Sequence, residues 1–212
     1  RRIIPWRASG YIPAHADCLR RLQIIKEPMC QKCGKPLRDP KERVCYDCGR
    51  VSRSYERGRS LWRYDDISSE ALFAFKYGRK KEYALFFGRM TVLYLGSWIR
   101  SVAPDAIVPV PVSPKRLKER GFNQAEETAL VIGAELGIPV LSHALYRTSE
   151  TRSQKSLGRI RRGENLAHAF APDPKVLKGV KCVLLFDDIY TTGSTAGYCA
   201  RALKSGGAEQ VY

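Results

Sequence analysis

Apolar residues recur at helical spacing in several stretches of the chain. Residues 69–77 and 82–102 place an apolar residue every three or four positions, which predicts two amphipathic helices. Residues 123–136 show the same period, and the glycine that follows them is a residue that commonly ends helices. A fourth helix is predicted over residues 193–205, because a pair of glycines comes directly after the last periodic position.

Short continuous apolar runs lie between these helices. Residues 106–112 and 180–186 are rich in β-branched side chains and predict two buried strands. Residues 140–145 predict a weaker strand, and residues 210–212 have the character of the start of another. Strands that alternate with helices form parallel sheets whose faces the helices cover. The pattern therefore predicts an α/β fold with a parallel sheet and helices on both faces.

The N-terminal part of the chain lacks this periodicity. Residues 1–58 are rich in Cys, Gly, Pro and charge, which predicts a separate small module ahead of a larger domain over residues 59–212. Inside the larger domain, residues 148–163 have no hydrophobic period and much positive charge, so they predict a mobile loop. A loop of this length within a compact domain is usually functional.

The 212 residues carry a formal net charge of +16. Two explanations are open: a basic protein with a solvated surface, or a protein that binds a polyanion, either nucleic acid or a phosphorylated small molecule. The charge is concentrated, since residues 20–59 hold twelve Lys or Arg against five acids. The most apolar stretch, residues 84–99, is interrupted by Gly and Arg, so no membrane span is predicted. No signal peptide is recognisable, and a chain that opens on Arg1 is expected to continue upstream.

Four of the seven cysteines form two Cys-x-x-Cys pairs. Cys30 and Cys33 make the first pair, Cys45 and Cys48 make the second, and a glycine follows each pair. Two such pairs bring four thiolates to one point, which predicts a tetrahedral zinc site in a reducing, cytoplasmic setting. A closed four-thiolate site leaves no position for a substrate, so the zinc is expected to be structural. Whether the basic residues around the site also contact nucleic acid stays open.

The segment with the clearest chemistry follows the strand that ends at Phe186. Asp187 and Asp188 come first, then a hydroxyl-rich loop with one glycine, and then the start of a helix. The two acids suit a sugar diol or a hydrated Mg²⁺. The alternative is a loop that only caps the helix. Because amide groups at a helix start bind anions, we expect a phosphate on five loop residues: Thr191, Thr192, Gly193, Ser194 and Thr195.

This segment resembles the phosphoribosyl pyrophosphate (PRPP) motif of type I phosphoribosyltransferases, in which an apolar strand runs into two acids and a Thr/Gly-rich loop. Other segments are similar to the ComF family of the ComFC and GntX type, in which a zinc ribbon precedes the domain. From about Cys18 onward the chain is identified as a member of that family. The matching segments are residues 108–111, 115–120, 121–125, Thr151, residues 154–157, Arg162, Asn165 and residues 169–170.

The resemblance implies a type I phosphoribosyltransferase-like fold and roles for three regions. Asp187 and Asp188 would hold the ribose hydroxyls, and residues 191–195 would hold the 5′-phosphate, with Mg²⁺ accompanying PRPP. The turn after residues 108–111 matches the place where such enzymes bind pyrophosphate. Residues 147–165 match the mobile loop that closes over the site. Five basic residues are thereby candidates for contact with pyrophosphate or DNA: Lys115, Arg116, Arg120, Arg159 and Arg162.

The cysteines also show one departure from the family pattern. Many members carry another cysteine pair near the N-terminus, where this chain has only Cys18. Either the missing pair lies upstream or this member binds one zinc. Cys182 and Cys199 lie on apolar faces of their segments and are predicted to be core thiols.

Family resemblance implies a competence factor that handles incoming single-stranded DNA during natural transformation, beside a ComFA-like helicase and recombination mediators. Residues 62–64 and 75–79 place aromatic side chains next to basic ones, which suits base stacking. For Phe73 and Phe75, however, a position in the helix core is the expectation.

Two other functions stay open at this point. One is an active Mg²⁺-dependent phosphoribosyltransferase acting on a nitrogen base, although no base-recognition element and no general base stands out in the sequence. The other is a PRPP-sensing module without turnover. Domains of this type often pair, so a homodimer is a further expectation.

Overall fold

The computed structural model describes residues 3–5, 11–78, 80–148 and 169–212. An N-terminal hairpin of β1 (Ile3–Pro5) and β2 (Tyr11–His15) precedes two short helices, α1 (Ala16–Arg21) and α2 (Tyr46–Arg50). Two longer helices follow, α3 (Asp66–Tyr77) and α4 (Tyr83–Val102). The remaining elements are β3 (Ala106–Pro109), α5 (Pro114–Arg120), α6 (Gln124–Leu136), β4 (Leu145–Arg147), β5 (Phe170–Pro172), β6 (Cys182–Phe186), α7 (Ser194–Ser205) and β7 (Gln210–Val211).

A parallel sheet forms the centre of the larger part of the molecule. Its strand order is β3-β6-β7, and Val140 extends it by a parallel bridge to Ile107 in β3. β3 and β6 run in register from Ala106 opposite Val183 to Pro109 opposite Phe186. β4 and β5 form a separate antiparallel pair. The mixed α/β fold with a parallel sheet is thus confirmed.

Helices cover both faces of the sheet because successive strand residues point to opposite sides. Ile107 and Leu184 pack with Ile99 of α4 and Ile132 of α6 on one face. Their neighbours in the strands pack on the other face with α7, in a cluster that includes Val108, Val183, Cys199 and Leu203.

A third apolar cluster joins the N-terminal part of the chain to α3 and α4. Ile12 of β2 packs there with Leu72 and Phe75 of α3 and with Phe86 and Phe87 of α4. The helix α3 begins sharply because Asp65 accepts a hydrogen bond from the Ser68 amide, and the Ser68 hydroxyl accepts one from the Asp65 amide. Leu72 and Phe75 of this helix point into the cluster.

The segment that leaves the cysteine-rich region lies along β7. The Glu56 amide donates to the carbonyl of Val211 at 2.8 Å, and the Glu56 carboxylate pairs with Lys204 of α7 at 2.7 Å. The Val211 amide also reaches the Glu56 carboxylate, at 3.4 Å. The cysteine-rich region is therefore fixed to the sheet at this edge.

Several sequence predictions need correction. Phe75 is buried as expected, but the core assignment of Phe73 is wrong, since its ring is 65% exposed. Residues 114–120 form a helix that the pattern does not predict, because four of its six exposed residues are charged and the helix has no apolar stripe. The strand expected at residues 140–145 is reduced to the bridge at Val140, and β4 begins only at Leu145. The mobile loop predicted for residues 148–163 falls, beyond Thr148, outside the described residues.

Candidate metal centre and phosphate site

The four predicted zinc ligands come together in the structure. The sulfur atoms of Cys30, Cys33, Cys45 and Cys48 all lie within 4.8 Å of one another. The Sγ atoms of Cys33 and Cys45 are 3.7 Å apart, a spacing that four thiolates around one ion require. Within the described part of the chain, this is the one group of three or more candidate ligand side chains.

The surroundings of the thiols fit a metal ion. Burial works against ionisation of Cys30, but backbone amides of Cys45, Cys33 and Lys32 lower the pKa of the Cys30 thiol to about 7. Burial raises the pKa of Cys33 and of Cys48. A zinc ion would supply the positive charge that these buried thiolates need, so the quartet is a structural zinc site. Cys182 and Cys199 are buried in the core, as predicted, and Cys18 is exposed.

The two acids at the end of β6 have different environments. Asp187 accepts a hydrogen bond from the amide of Asp188, yet burial and the charge of Asp188 raise the pKa of Asp187 to about 7. Asp188 pairs with Lys76 of α3 at 2.8 Å, and both side chains are less than one-fifth exposed. Lys76 is a site residue that the sequence did not reveal, because it precedes Asp188 by most of the domain.

This acid pair does not form a ready-made Mg²⁺ site. A divalent cation needs several oxygen ligands, and the described residues offer only these two carboxylates here, one of them held by the Lys76 ammonium. Paired acceptors of this kind suit the hydroxyls of a sugar diol, each of which donates a hydrogen bond.

The predicted phosphate loop leads directly into α7. Gly193 precedes the helix with φ of +77°, a conformation that favours glycine. A side chain at this position would also collide with the hydroxyl of Tyr190, which lies 2.1 Å from where a Cβ would be. The hydroxyls of Thr192 and Ser194 are 3.0 Å apart, and Thr191 and Thr192 are exposed. The loop thus brings exposed hydroxyl groups next to the first turn of α7.

The cysteine-rich region contacts this loop directly. Arg53 donates a hydrogen bond from Nη2 to the carbonyl of Thr192 at 2.6 Å. The hydroxyls of Tyr55 and Tyr190 are 2.7 Å apart, and the Lys35 ammonium lies 5.5 Å from the centre of the Tyr190 ring. Neither Arg53 nor Tyr55 was a candidate from the sequence, because nothing local to them indicates which loop they meet.

The basic candidates divide into three groups. Lys115 and Arg116 are exposed on α5. Arg120 is only 7% exposed, donates to Gln124 at 3.0 Å and lies over the ring of Tyr77, so its guanidinium has a supporting role. Arg159 and Arg162 lie outside the described residues.

Arg147 is a further basic residue near the acids. Its guanidinium lies over the ring of Phe170 and interacts electrostatically with Arg116 and Asp187. Burial and the charge of Arg116 lower its pKa. The sequence marked Arg147 only as the start of a loop, since its position beside Asp187 depends on the β4–β5 pair.

A cavity of about 440 Å³ opens beside the two acids. Its walls include Trp62, Phe75 and Phe87, with the Phe87 ring 5.6 Å from that of Trp62 and 5.4 Å from that of Phe75 between centroids. Lys35 lines the same space, as do Asp187 and Asp188. An aromatic wall next to a few polar groups is the usual composition of a small-molecule site.

Two aromatic rings stand out from the surface on α3. Phe73 and Tyr77 are 65% and 56% exposed, and their ring centroids are 4.8 Å apart. The Arg120 guanidinium lies 5.1 Å from the centre of the Tyr77 ring and donates to its hydroxyl at 3.3 Å. These rings therefore form an exposed aromatic pair with a cation beside one of its members.

Comparisons with known proteins agree on one family. The double zinc ribbon domain family matches residues 15–49. The competence protein ComFC of Bacillus subtilis is 30% identical over 94% of this chain and 83% of its own length. The DNA utilization protein YhgH of Escherichia coli is 30% identical over 96% of this chain and 89% of its own length.

Competence protein F of Haemophilus influenzae is 35% identical, over about half of each chain (51% of this one and 48% of the other). No solved structure matches the chain. Along residues 3–5, 11–78, 80–148 and 169–212, every helix is too short or too polar to cross a lipid bilayer. The four-thiolate ribbon and the full-length similarity together show that the chain belongs to the ComF family of competence and DNA utilization proteins.

Proposed function

We propose that this protein handles incoming single-stranded DNA during natural transformation and carries a sugar-phosphate site of the PRPP type. Its relatives are named for competence and DNA utilization, which supports a role in the same process. The observation that carries the DNA-binding part is the exposed ring pair of Phe73 and Tyr77 beside the cationic helix α5.

The ring pair and α5 suit a single strand for separate reasons. Unpaired bases stack on aromatic side chains, and each stacked base contributes about 1–3 kcal/mol. Phosphates are attracted to the exposed cations of α5, which include Lys115, Arg116 and Lys118. Arg120 links the two, because it closes α5 and contacts Tyr77. We name this surface, made of Phe73, Tyr77 and the exposed cations of α5, the stacking surface.

The sugar-phosphate part rests on the end of β6. Asp187 and Asp188 offer acceptors for two sugar hydroxyls, and the loop of residues 191–195 offers hydroxyls and helix-start amides for a phosphate. Half-buried Arg147 adds positive charge near Asp187, and exposed Arg116 interacts with Arg147, so a pyrophosphate group of the ligand is proposed to bind beside these two cations. Any Mg²⁺ would enter with PRPP.

The DNA proposal is tested by binding of a labelled single-stranded oligothymidylate, measured by fluorescence anisotropy. The Phe73→Ala/Tyr77→Ala variant is expected to bind at least about tenfold more weakly, since two stacking platforms are lost. Both rings are mostly exposed, so the fold is expected to be unchanged. The Tyr94→Ala variant removes a ring of similar exposure from α4 and serves as the matched control. Equal affinity of the double variant and the control would remove the stacking surface from the proposal.

A second function, an active phosphoribosyltransferase, is favoured by the aromatic cavity next to the acids. The cavity is large enough for a heteroaromatic ring and places it beside the groups proposed to hold the ribose. A planar base packed against Trp62 and Phe87 would lie next to the sugar carbon at which such an enzyme forms its new bond.

Titration calorimetry with PRPP and Mg²⁺, followed by a screen of bases for pyrophosphate release, separates the remaining functions. Binding that is lost in an Asp187→Asn/Asp188→Asn variant, with pyrophosphate released for one particular base, would establish the enzyme. Binding without release would leave a PRPP sensor. Absence of binding in both proteins would exclude the enzyme and the sensor alike.

A further inference from the structure

The helix that carries Cys48 is joined to the phosphate loop by one arginine. Arg53 follows α2 by three residues and donates to the Thr192 carbonyl at 2.6 Å. The same guanidinium interacts with the Cys48 side chain. Its Nε atom is buried and has no hydrogen-bond partner among the described residues. A buried donor without a partner costs stability, so an acceptor on the metal side of Arg53 is expected.

A zinc-bound thiolate at Cys48 is such an acceptor. The metal keeps the thiol ionised, and an ionised sulfur attracts the guanidinium more strongly than a neutral thiol does. The arginine would then be held from both sides, by the Cys48 sulfur and by the Thr192 carbonyl. Because α2 has only five residues, it depends on the metal for its shape. Loss of zinc would therefore release Arg53 from its position.

A second contact leads from the same segment to the same loop. Tyr55 is 4% exposed, and its hydroxyl lies 2.7 Å from that of Tyr190. The Tyr190 hydroxyl in turn lies against Gly193, so the position of this ring fixes the path of the backbone at the start of α7. Two side chains from one short segment thus contact this loop at two points, Tyr190 and Thr192.

We propose that Arg53 is a positioning residue that couples zinc at the cysteine quartet to ligand binding at the phosphate loop. The proposal rests on the proposed sugar-phosphate site. Zinc fixes the position of α2 and, through it, the position of Arg53. The hydrogen bond from Arg53 then fixes the Thr192 carbonyl, so that the loop amides face the phosphate. Coupling between two sites is reciprocal, so a phosphate ester bound at the loop raises the affinity for zinc by the same factor by which zinc raises the affinity for the ester. A factor of roughly 5 to 150 is typical of such coupling.

The reciprocal coupling is measured on the full chain with ribose 5-phosphate as the probe. Zinc affinity, obtained by competition with a chelator, is expected to rise at least about fivefold when ribose 5-phosphate is present. In the Arg53→Met variant, zinc still binds the four cysteines, but the gain is expected to disappear and ribose 5-phosphate to bind correspondingly more weakly. Arg53→Lys keeps one donor and is expected to restore part of the gain.

Arg50→Met is the matched control. Arg50 lies on α2 and its guanidinium lies over the ring of Tyr46, so its removal changes the charge of the same helix without touching Thr192. Cobalt in place of zinc supplies a spectroscopic readout, because its thiolate absorption responds to changes at Cys48. We expect ribose 5-phosphate to shift this absorption in the wild type and in Arg50→Met, but not in Arg53→Met.

A measurement without ligand keeps the two proposals apart. Hydrogen exchange of residues 187–195 is expected to be faster in zinc-loaded Arg53→Met than in zinc-loaded wild type. One outcome is that ribose 5-phosphate does not bind the wild type, while hydrogen exchange is still faster in Arg53→Met. The sugar-phosphate site would then be wrong, but the structural connection from Arg53 to the loop would be confirmed. If exchange in Arg53→Met equals that in Arg50→Met, or if ribose 5-phosphate binds and leaves zinc affinity unchanged, the coupling is overturned.

Discussion

At the scale of the residue, the surroundings of Asp187 make its charged form costly to folding stability. Asp187 directly follows β6, and desolvation of its carboxyl together with the charge of Asp188 raises its pKa to about 7 from an ordinary value of 3.8. The unfolded chain releases this proton at a lower pH than the folded chain does. Between about pH 4 and pH 7, the contribution of Asp187 to folding stability therefore falls as the pH rises.

Asp187→Asn is expected to stabilise the protein in a pH-dependent way. The two proteins should be similar near pH 4, and the variant should gain on the order of 2–4 kcal/mol by pH 8, because each unit of pKa shift corresponds to about 1.4 kcal/mol. Urea unfolding at several pH values measures this difference.

Asp105 provides a control of opposite sign. Its carboxylate accepts hydrogen bonds from the amides of Lys181 and Cys182, both at 2.8 Å, and these lower its pKa. Asp105→Asn should therefore destabilise the protein more at neutral pH than in acid. A stability difference for Asp187→Asn that stays constant across the pH range would contradict the assigned environment of that residue.

The same residues show what could be predicted from the sequence. Asp187, Asp188 and Gly193 are consecutive or nearly so, and their chemistry is visible in one short segment. Lys76 and Arg53 reach this segment from other elements, and a single sequence contains no local signal for such contacts. The apolar character of Phe73 predicts a core position, whereas the buried face of α3 is formed by Ser68, Leu72 and Phe75 and leaves Phe73 at the surface.

At the scale of elements, the packing of α4 against α6 depends on a small residue. A Cβ at Gly88 would lie 2.6 Å from side-chain atoms of Val131 and 3.3 Å from the carbonyl of Thr128. The two helices therefore leave no room for a side chain at this position of α4. This contact supports the face of the sheet that carries Ile107 and Leu184.

Gly88→Ala is expected to destabilise the protein by about 1–3 kcal/mol, because the helices must separate to admit the methyl group. Gly96→Ala is the matched substitution in the same helix, since its Cβ would meet neighbours at 3.6 Å or more. Alanine is the better helix former, so this variant should be unchanged or more stable by up to about 1 kcal/mol. Thermal unfolding of the two variants tests the packing, and an equal effect in both would disprove it.

The sequence predicts long helices better than short ones, because a long helix contains more periodic apolar positions. The long helices α4 and α6 agree with the sequence to within one residue at each end. The seven residues of α5 carry no apolar stripe, so only the cap at Ser113 and the proline at its first position indicate this helix. Parallel pairing was expected, but the order β3-β6-β7 depends on long-range contacts that periodicity does not report.

At the scale of the whole molecule, the net charge of +16 directs a strand to the stacking surface only if some of the cations lie beside that surface. Lys115, Arg116 and Lys118 are exposed on one seven-residue helix. Each phosphate contact to a single strand contributes about 0.7 to the slope of log affinity against log salt concentration.

Replacing these three cations by Gln is expected to reduce the salt slope for oligothymidylate binding by about 2. A charge-matched control replaces Lys175, Lys178 and Lys181, which are exposed and precede β6, at the end of the strand opposite the acids. Anisotropy titrations at several salt concentrations give both slopes. An equal reduction of the salt slope in the two triple variants would mean that the strand is attracted by the overall charge of the protein and makes no specific contact with α5.

The contact between Glu56 and Val211 also determines how much backbone is open at this edge of the sheet. The outward amide and carbonyl of Val211, at the edge of the sheet, are both occupied by Glu56. An open strand edge is a template on which another chain can add a strand. The Glu56 segment covers this edge next to Val211, so a fragment that lacked residues 1–58 would expose the edge and is expected to aggregate more readily.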